Sequence, residues 1–243
     1  MRVRLVLCLP TYNEIQNLEP MVRALGEVFE REALDGSVLV IDDASPDGTG
    51  ELADRLAAEL PPVEVLHRQA KEGLGPAYIA GFRRALAQGA ELVMEMDCDF
   101  SHSPDDVPRL VQAAKEAELV IGSRYVPGGR VENWGLGRRL VSRAGSVYAR
   151  LVLGIDVRDL TGGFKCFRRV VLETLDLDSV SSMGYTFQVE TTYRTLRGGF
   201  RVTEVPIAFS DREVGGSKMT KRIVAEAVWR IPALRFAAMR NRL

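Results

Sequence analysis

The chain has 243 residues, of which 46% are hydrophobic and 27% charged, and its formal net charge is −1. This balance is typical of a globular protein and gives no general electrostatic attraction for nucleic acid. We find no apolar run near the roughly 20 residues that span a bilayer and no amino-terminal leader pattern. The three cysteines lack metal-site spacing, which favours a reducing, cytoplasmic location.

Strand-like and helix-like segments alternate through the first half of the chain. The predicted strands are 3–9, 38–41, 63–66, 92–96 and 119–121. The predicted helices are about 16–31, 48–60, 75–88 and 104–116. Continuous apolar runs indicate strands buried on both faces, so this alternation predicts an α/β fold with a mostly parallel central sheet and helices on both faces.

The pattern changes after Arg124, although no linker or internal repeat divides the chain. Residues 125–137 are glycine-rich and irregular, and helical patterns follow at about 138–153, 167–175 and 186–198. Residues 200–209 alternate as a strand does, and 211–218 resemble a polar loop. Residues 219–243 predict amphipathic helix with a break at Pro232. We therefore predict one domain over 1–243.

Polar clusters follow four of the predicted strands. They are Pro10-Thr11-Tyr12-Asn13-Glu14, residues 42–49, Asp97-Cys98-Asp99 and Gly122-Ser123-Arg124. Each cluster alone also suits a turn or a helix cap. Because the carboxyl ends of parallel strands share one edge of a sheet, we expect the four clusters to meet in one crevice.

Asp97 and Asp99 are the residues most indicative of chemistry. Two close carboxylates repel each other unless a cation lies between them, and Mg²⁺ or Mn²⁺ takes such oxygen ligands while also holding phosphates. The glycine patterns of dinucleotide-binding and P-loop proteins are absent from the chain. The residues therefore predict a metal–diphosphate site in a nucleotide crevice.

Together these motifs resemble glycosyltransferase family 2, whose members are inverting enzymes of the Rossmann-like GT-A fold. Pro-x-Tyr-Asn-Glu at 10–14, Asp-Asp-x-Ser-x-Asp-Gly-Thr at 42–49 and Asp-x-Asp at 97–99 carry this likeness. The later motifs are similar to those of dolichol- and polyprenol-phosphate mannosyltransferases; they lie at 122–125, 128–129, 133–135, 142–143, 159–165 and 211–218.

The resemblance implies transfer of mannose from GDP-mannose to a polyprenyl monophosphate, giving a polyprenyl β-mannosyl phosphate. It divides the domain into a nucleotide-sugar half (1–123), an acceptor half (124–218) and a tail (219–243). Donor contacts implied by the likeness are Pro10, Tyr12, Glu14, Ile41, Asp43, Asp97, the Cys98 backbone, Asp99, Arg212 and Lys218. Asp97 and Asp99 would bind Mg²⁺ or Mn²⁺, and Arg124, Arg138 and Ser142 the acceptor phosphate. The implied catalytic residues are Asp99, Arg124, Arg212 and Lys218.

Two features bear on these implied roles. Some relatives have a metal-binding Gln where this chain has Ser101, a shorter and weaker ligand. Residues 122–150 contain six arginines and one acid, which suits phosphate binding or, alternatively, a solvated basic face.

A lipid phosphate is already anionic, so we predict no dedicated general base. Of the two histidines, His67 is expected to be structural and His102 to support the metal site.

The tail carries seven Lys or Arg and one acid over 217–243. An apolar stripe there is formed by Ile223, Ala227, Val228, Ile231, Leu234 and Ala238. These features predict a helix on the cytoplasmic face of an anionic membrane, or alternatively one packed on the core. A separate membrane protein as partner is left open.

Three other functions remain compatible with the sequence. The donor could be UDP-glucose or another nucleotide sugar, since no pocket residue identifies the base of the nucleotide. A soluble or polysaccharide acceptor would need a base in place of a phosphate clamp. A catalytically silent nucleotide-binding domain would show no metal-dependent turnover.

Overall fold

The computed structural model describes residues 3–180, 182, 184–210 and 221–240, without the side chains of residues 136, 138 and 221–227. The strands are β1 Arg4–Thr11, β2 Asp35–Asp42, β3 Val63–His67, β4 Leu92–Glu95, β5 Leu119–Ser123, β6 Arg130–Val131, β7 Lys165–Arg168, β8 Val202–Pro206 and β9 Ala208–Phe209. The helices are α1 Leu18–Arg31, α2 Thr49–Glu59, α3 Leu74–Ala87, α4 Val107–Ala113, α5 Leu136–Leu153, α6 Arg169–Thr174, α7 Gly184–Arg197 and α8 Lys221–Met239. A short 3₁₀ turn, Pro104–Asp106, precedes α4.

The central sheet has seven strands in the order β3-β2-β1-β4-β7-β5-β8. Only β7 is antiparallel to its neighbours in this sheet, so the predicted mostly parallel α/β fold is confirmed. Alternate residues of β1 enter different cores. Val6 and Cys8 pack with α3, α5, α7 and α8, whereas Leu5, Leu7 and Leu9 pack with α1, α2 and α4. Helices therefore cover both faces, as predicted.

Strand β7 is absent from the sequence-based prediction, which placed a helix at 167–175. The helix there is α6, and it begins only at Arg169. The strand contains the fully buried Lys165, which interrupts the apolar run by which a central strand is recognised.

The strand predicted over 200–209 is divided between two sheets. β8 continues the central sheet beside β5, whereas β9 pairs with β6 in a separate two-stranded sheet. Pro206 lies at the division and has no N–H with which to extend a ladder. β6 lies within the segment predicted to be irregular.

Helix α8 passes through Pro232 without a break, so that prediction was wrong. A proline leaves the carbonyl four residues earlier without its helical N–H donor. Here the Tyr148 hydroxyl of α5 donates to the Val228 carbonyl at 2.9 Å and replaces that donor.

The inner face of α8 is buried in the core. Ile231, Leu234 and Ala238 are 2%, 8% and 3% exposed, so for these three residues the alternative of packing on the core is confirmed. Among the described residues, no helix is long and apolar enough to cross a membrane.

Candidate active site

The carboxyl ends of β1, β2 and β4 meet at one edge of the sheet and line a cleft of about 1050 Å³, including solvent at its mouth. Seven predicted donor residues line it: Pro10, Tyr12, Glu14, Asp43, Asp97, Cys98 and Asp99. Three of the four predicted clusters therefore meet in one cleft. Ile41, also predicted, is fully buried in the core.

Hydrogen bonds fix the first two clusters against each other. The Asp43 N–H donates to the Thr11 carbonyl at 3.0 Å, and the Glu14 N–H donates to the Thr49 hydroxyl at 3.0 Å. Thr49 in turn donates to Asp47 at 2.6 Å. Burial acts to raise the pKa of Asp47, but hydrogen bonds from Thr49 and the Ile15 N–H lower it overall.

The Asp43 carboxylate is oriented by two neighbours. It forms an ion pair with the largely buried Arg68 and accepts the Gly73 N–H at 3.3 Å. Lys71, in the same loop, places its ammonium 3.6 Å from the centre of the Tyr12 ring, an arrangement that favours cation–π attraction. Lys71 and Gly73 both line the cleft, which therefore contains a cation beside its acidic residues.

Asp97 and Asp99 follow β4 in a tight turn. Asp99 is 3% exposed, and its Oδ1 accepts the Ser101 N–H at 3.0 Å. Phe100, between Asp99 and Ser101, has a φ of 55°, in the left-handed region that a non-glycine residue rarely adopts. Gly163 faces Asp97, because a Cβ built there would lie 3.9 Å from both carboxylate oxygens. The absence of a side chain at Gly163 thus leaves space beside the Asp97 carboxylate.

The residues at this turn fit a divalent cation shared with a phosphate ligand. Among the described residues, no group of three or more His, Cys, Asp or Glu could hold a metal by itself. Two cleft carboxylates suit Mg²⁺ or Mn²⁺ when phosphate and water supply the remaining oxygens. The Ser101 hydroxyl is buried and has no hydrogen-bond partner in the described structure.

Beneath Asp97, a buried polar cluster lies next to the cleft. Glu95 and Lys165 are opposite each other across β4 and β7, and neither is exposed. Burial raises the pKa of Glu95 and lowers that of Lys165, while their mutual attraction opposes both changes. Lys165 Nζ donates to the Gln188 carbonyl at 2.7 Å. The Gln188 side chain lines the cleft and is 1% exposed, and its hydrogen bond with Glu95 acts to lower the pKa of that carboxyl.

Arg124 lies in a buried ion pair. Its Nε and Nη2 each donate to Asp159 at 2.7 Å, and Nη2 also donates to the Thr161 hydroxyl at 2.9 Å. Burial acts to raise the pKa of Asp159, but Arg124 holds it below its usual range. Since Thr161 lines the cleft, Arg124 connects the fourth predicted cluster to the site.

The two histidines occupy different surroundings. His102 is 2% exposed and contacts the rings of Phe164 and Phe209, with centroids 5.0 and 4.9 Å away. Burial lowers its pKa to about 4, so it is neutral at pH 7. His67 ends β3 and pairs with Asp54 at 2.8 Å, outside the cleft lining.

The predicted acceptor residues lie on and beside α5. The Tyr125 hydroxyl donates to the Ser142 hydroxyl at 2.8 Å. Arg138 precedes Ser142 by four residues in α5, and its side chain lies outside the described structure. Arg212 and Lys218 lie outside the described residues.

Several cleft residues were missed by sequence reasoning. They are Lys71, Gly73, Leu74, Ala77, Thr161, Gly163, Gly184, Tyr185 and Gln188. Thr161 and Gly163 belong to a motif that had been noted but given no role. Lys71 and Gln188 have no local pattern that separates them from an ordinary loop or helix residue.

The model of glycosyl transferase family 2 matches residues 6–176. The chain therefore belongs to this family, which agrees with a cleft that combines paired carboxylates and the ends of parallel strands. It is 50% identical to the undecaprenyl-phosphate mannosyltransferase of Micrococcus luteus, over 99% of each chain. It is 46% identical to the polyprenol monophosphomannose synthase of Mycolicibacterium smegmatis, over 94% of this chain and 85% of the relative.

Solved structures support the GT-A-like fold. Glucosyl-3-phosphoglycerate synthase from Mycobacterium tuberculosis, in complex with UDP, aligns with a TM-score of 0.68 and 19% identity over 96% of this chain and 80% of that one. A mannosyltransferase from Pyrobaculum calidifontis, in complex with GDP-Man and Mn²⁺, aligns with a TM-score of 0.61 and 19% identity over 99% of this chain and 65% of that one.

Proposed function

We propose that this chain transfers mannose from GDP-mannose to a polyprenyl monophosphate and inverts the anomeric carbon, giving a polyprenyl β-mannosyl phosphate. The observation that carries the proposal is 50% identity to a polyprenyl-phosphate mannosyltransferase over 99% of both chains. The cleft supports it, since its carboxylates and its Lys71 ammonium suit a nucleotide sugar.

The donor would lie along the edge of the sheet. Pro10, Tyr12 and the oriented Asp43 carboxylate would contact the nucleoside. Asp97 and Asp99 would hold Mg²⁺ or Mn²⁺, which when bound neutralises charge on the departing diphosphate. Arg212 and Lys218 would contact that diphosphate. The sugar would then lie near Thr161 and Gln188, so residues of both proposed halves contribute to donor binding.

The reaction needs positioning more than proton removal. A lipid phosphate oxygen attacks the anomeric carbon, the bond from that carbon to the diphosphate oxygen breaks, and GDP departs. The nucleophile is anionic at pH 7, so no base must accept a proton. Arg138 and Ser142 would hold the acceptor phosphate. Arg124 already donates hydrogen bonds to Asp159 and Thr161, so it is suited to positioning Thr161.

The test is transfer of radiolabelled mannose from GDP-mannose to a short polyprenyl phosphate in detergent, with Mg²⁺, Mn²⁺ or chelator. We expect metal-dependent label in the lipid fraction from GDP-mannose alone. Label in the lipid fraction from UDP-glucose alone would mean that the donor is UDP-glucose, while the lipid assignment of the acceptor would still hold. Label only in a soluble or polysaccharide acceptor would overturn the lipid assignment.

The acceptor clamp has its own test. Arg138→Ala should raise the KM for polyprenyl phosphate at least tenfold and leave GDP-mannose binding unchanged, because the clamp contacts only the acceptor. Arg109→Ala, at an exposed arginine of α4, is the matched control. Wild-type acceptor kinetics in Arg138→Ala would exclude the clamp.

A further inference from the structure

Gly163 leaves a space in the wall of the cleft that the described chain does not fill. A Cβ built at this glycine would lie 3.6 Å from Gln188 Nε2 and 3.9 Å from each carboxylate oxygen of Asp97. All three residues line the cleft, and Gln188 is only 1% exposed. We call the space between these groups the Gly163 gap.

Neither backbone conformation nor packing requires a glycine at position 163. Gly163 is not one of the glycines with a positive φ, so alanine can adopt its backbone conformation. Gly122, in β5, is different, because a Cβ there would lie 2.8 Å from the Phe164 ring. At Gly163 the nearest described atom is at ordinary contact distance. The missing side chain therefore provides room for a ligand and relieves no contact within the described chain.

Hydrogen bonds hold the wall on both sides of the Gly163 gap. Two residues before Gly163, the Thr161 hydroxyl accepts a hydrogen bond from Arg124 Nη2 at 2.9 Å. One residue after it, the Phe164 carbonyl accepts the Gly122 N–H at 2.9 Å. The gap is therefore formed before a ligand arrives, and a ligand that enters it need not order the wall.

The groups that border the Gly163 gap suit a sugar hydroxyl. A hydroxyl both donates and accepts hydrogen bonds, whereas the Asp97 carboxylate accepts and the Gln188 amide nitrogen donates. That nitrogen carries two hydrogens, so donation to Glu95 leaves one for a ligand. The three nearest described atoms around the gap include no cation, so these groups supply no counter-charge for a phosphate.

We propose that the Gly163 gap receives one hydroxyl of the donor sugar and that Gly163 thereby determines which sugars the cleft accepts. The hydroxyl donates to Asp97 and accepts from Gln188. A carboxylate has several lone pairs, so Asp97 can bind a metal and also accept this hydrogen bond. The inference rests on the proposed function for the class of donor, a nucleotide sugar. It gives the glycine a role, because a methyl group at position 163 would take the volume that the hydroxyl needs.

The first test compares the binding of GDP-mannose and GDP to the full chain by titration calorimetry with Mn²⁺. Gly163→Ala should weaken GDP-mannose binding about tenfold, the usual penalty for overpacking a filled site, and leave GDP binding unchanged. Gly162→Ala, at the adjacent glycine outside the cleft lining, is the matched control and should bind both ligands as wild type does. Thermal melting should show both variants as stable as wild type, since no described atom lies closer than 3.4 Å to either Cβ.

Deoxy analogues of the donor test whether the group in the Gly163 gap is a hydroxyl. The 2-, 3-, 4- and 6-deoxy forms of GDP-mannose each lack one hydroxyl of the sugar. With the analogues that keep the hydroxyl of the gap, Gly163→Ala should bind about tenfold more weakly than wild type. With the analogue that lacks it, the two proteins should bind alike, because the added methyl group then competes with nothing. That analogue identifies the hydroxyl.

Three outcomes would overturn the inference. Equal weakening of GDP and GDP-mannose by Gly163→Ala would mean that the gap belongs to the metal and the diphosphate. Wild-type affinity of Gly163→Ala for GDP-mannose would mean that no ligand group occupies the gap. Equal weakening of all the deoxy analogues would mean that no single hydroxyl does.

A donor comparison separates this inference from the proposed function. Wild-type binding of UDP-glucose in preference to GDP-mannose would refute the mannose assignment. The effect of Gly163→Ala on UDP-glucose against UDP would then still decide whether a sugar hydroxyl occupies the gap. Failure of the wild type to bind either nucleotide sugar would overturn both proposals.

Discussion

Arg124 binds Asp159 through two hydrogen bonds of 2.7 Å, and the two side chains are only 4% and 0% exposed. Asp159 also accepts the Arg124 backbone N–H at 2.9 Å. The pair therefore fixes both the side chain and the backbone at the end of β5. Through Nη2, the same arginine holds the Thr161 hydroxyl at the cleft. Arg124, which the sequence predicts to bind the acceptor phosphate, thus holds one of the residues that line the cleft, Thr161.

Removing one charge of this pair should destabilise the fold strongly. Asp159→Asn leaves the Arg124 guanidinium buried without its counter-ion, which costs about 3–5 kcal/mol of unfolding free energy. Urea unfolding measures the loss. Glu132→Gln, which breaks an exposed ion pair with Arg130, should be indistinguishable from wild type. Equal, small effects of the two substitutions would contradict the importance of burial.

His102 should make stability depend on pH between 6.5 and 4. Burial lowers its pKa in the folded chain to about 4 from the ordinary value of 6.5. As pH falls through this window, the unfolded chain takes up a proton that the folded chain does not. Stability is therefore lost on acidification, by about 3 kcal/mol at most.

The check is unfolding free energy as a function of pH for His102→Gln and His67→Gln. The first substitution should flatten the wild-type curve between pH 6.5 and 4. The second, at a half-exposed histidine outside the cleft lining, should leave its slope unchanged. A wild-type slope in His102→Gln would show that carboxylates alone cause the dependence.

Asp97→Asn and Asp99→Asn should each remove the metal dependence of nucleotide binding. Each loses one of the two cleft carboxylates that fit the ion, so titration calorimetry with GDP should give the same weak affinity with Mn²⁺ as with chelator. Asp105→Asn, at an exposed carboxylate in the turn before α4, is the control and should keep the Mn²⁺ effect. Tight Mn²⁺-dependent binding by both cleft variants would exclude these carboxylates as ligands.

Gln188→Ala should weaken GDP-mannose binding about fivefold and leave GDP binding unchanged. Its buried amide lines the cleft, and a hydrogen bond to a sugar hydroxyl is worth about 1 kcal/mol. Thr195→Ala, two turns further along α7, removes a hydroxyl bonded to the Thr191 carbonyl away from the cleft. An equal loss for GDP and GDP-mannose would place Gln188 outside the sugar site.

Tyr148 and Pro232 should show coupling in a double-mutant cycle. Tyr148→Phe removes the donor to the Val228 carbonyl and should cost about 1 kcal/mol, seen also as faster hydrogen exchange in α8. In the Pro232→Ala background an alanine N–H can donate to that carbonyl, so Tyr148→Phe should cost clearly less. Additive effects would mean that the hydroxyl does not replace the helical donor.

Local patterns in the sequence determined the helices and most strands, because period and apolar runs record which faces are buried. The prediction that the polar clusters converge also followed from sequence, since parallel strands end at one edge; it holds for residues 10–14, 42–49 and 97–99. The family likeness came from motifs within short stretches. Each of these properties depends on residues close together in the chain.

The tertiary structure alone decided features that join distant residues. Lys165 is compatible with a central strand because Glu95 lies opposite it on β4 and Gln188 and Thr191 accept its hydrogen bonds. Pro232 remains within α8 because Tyr148, on another helix, supplies the missing donor. Packing on the core also determined which side of α8 is exposed. The amphipathic pattern of the helix alone could not show which side faces the core. The physical reason is common to all three: burial of a polar group or an apolar face depends on partners that the fold, and not the neighbouring sequence, brings into contact.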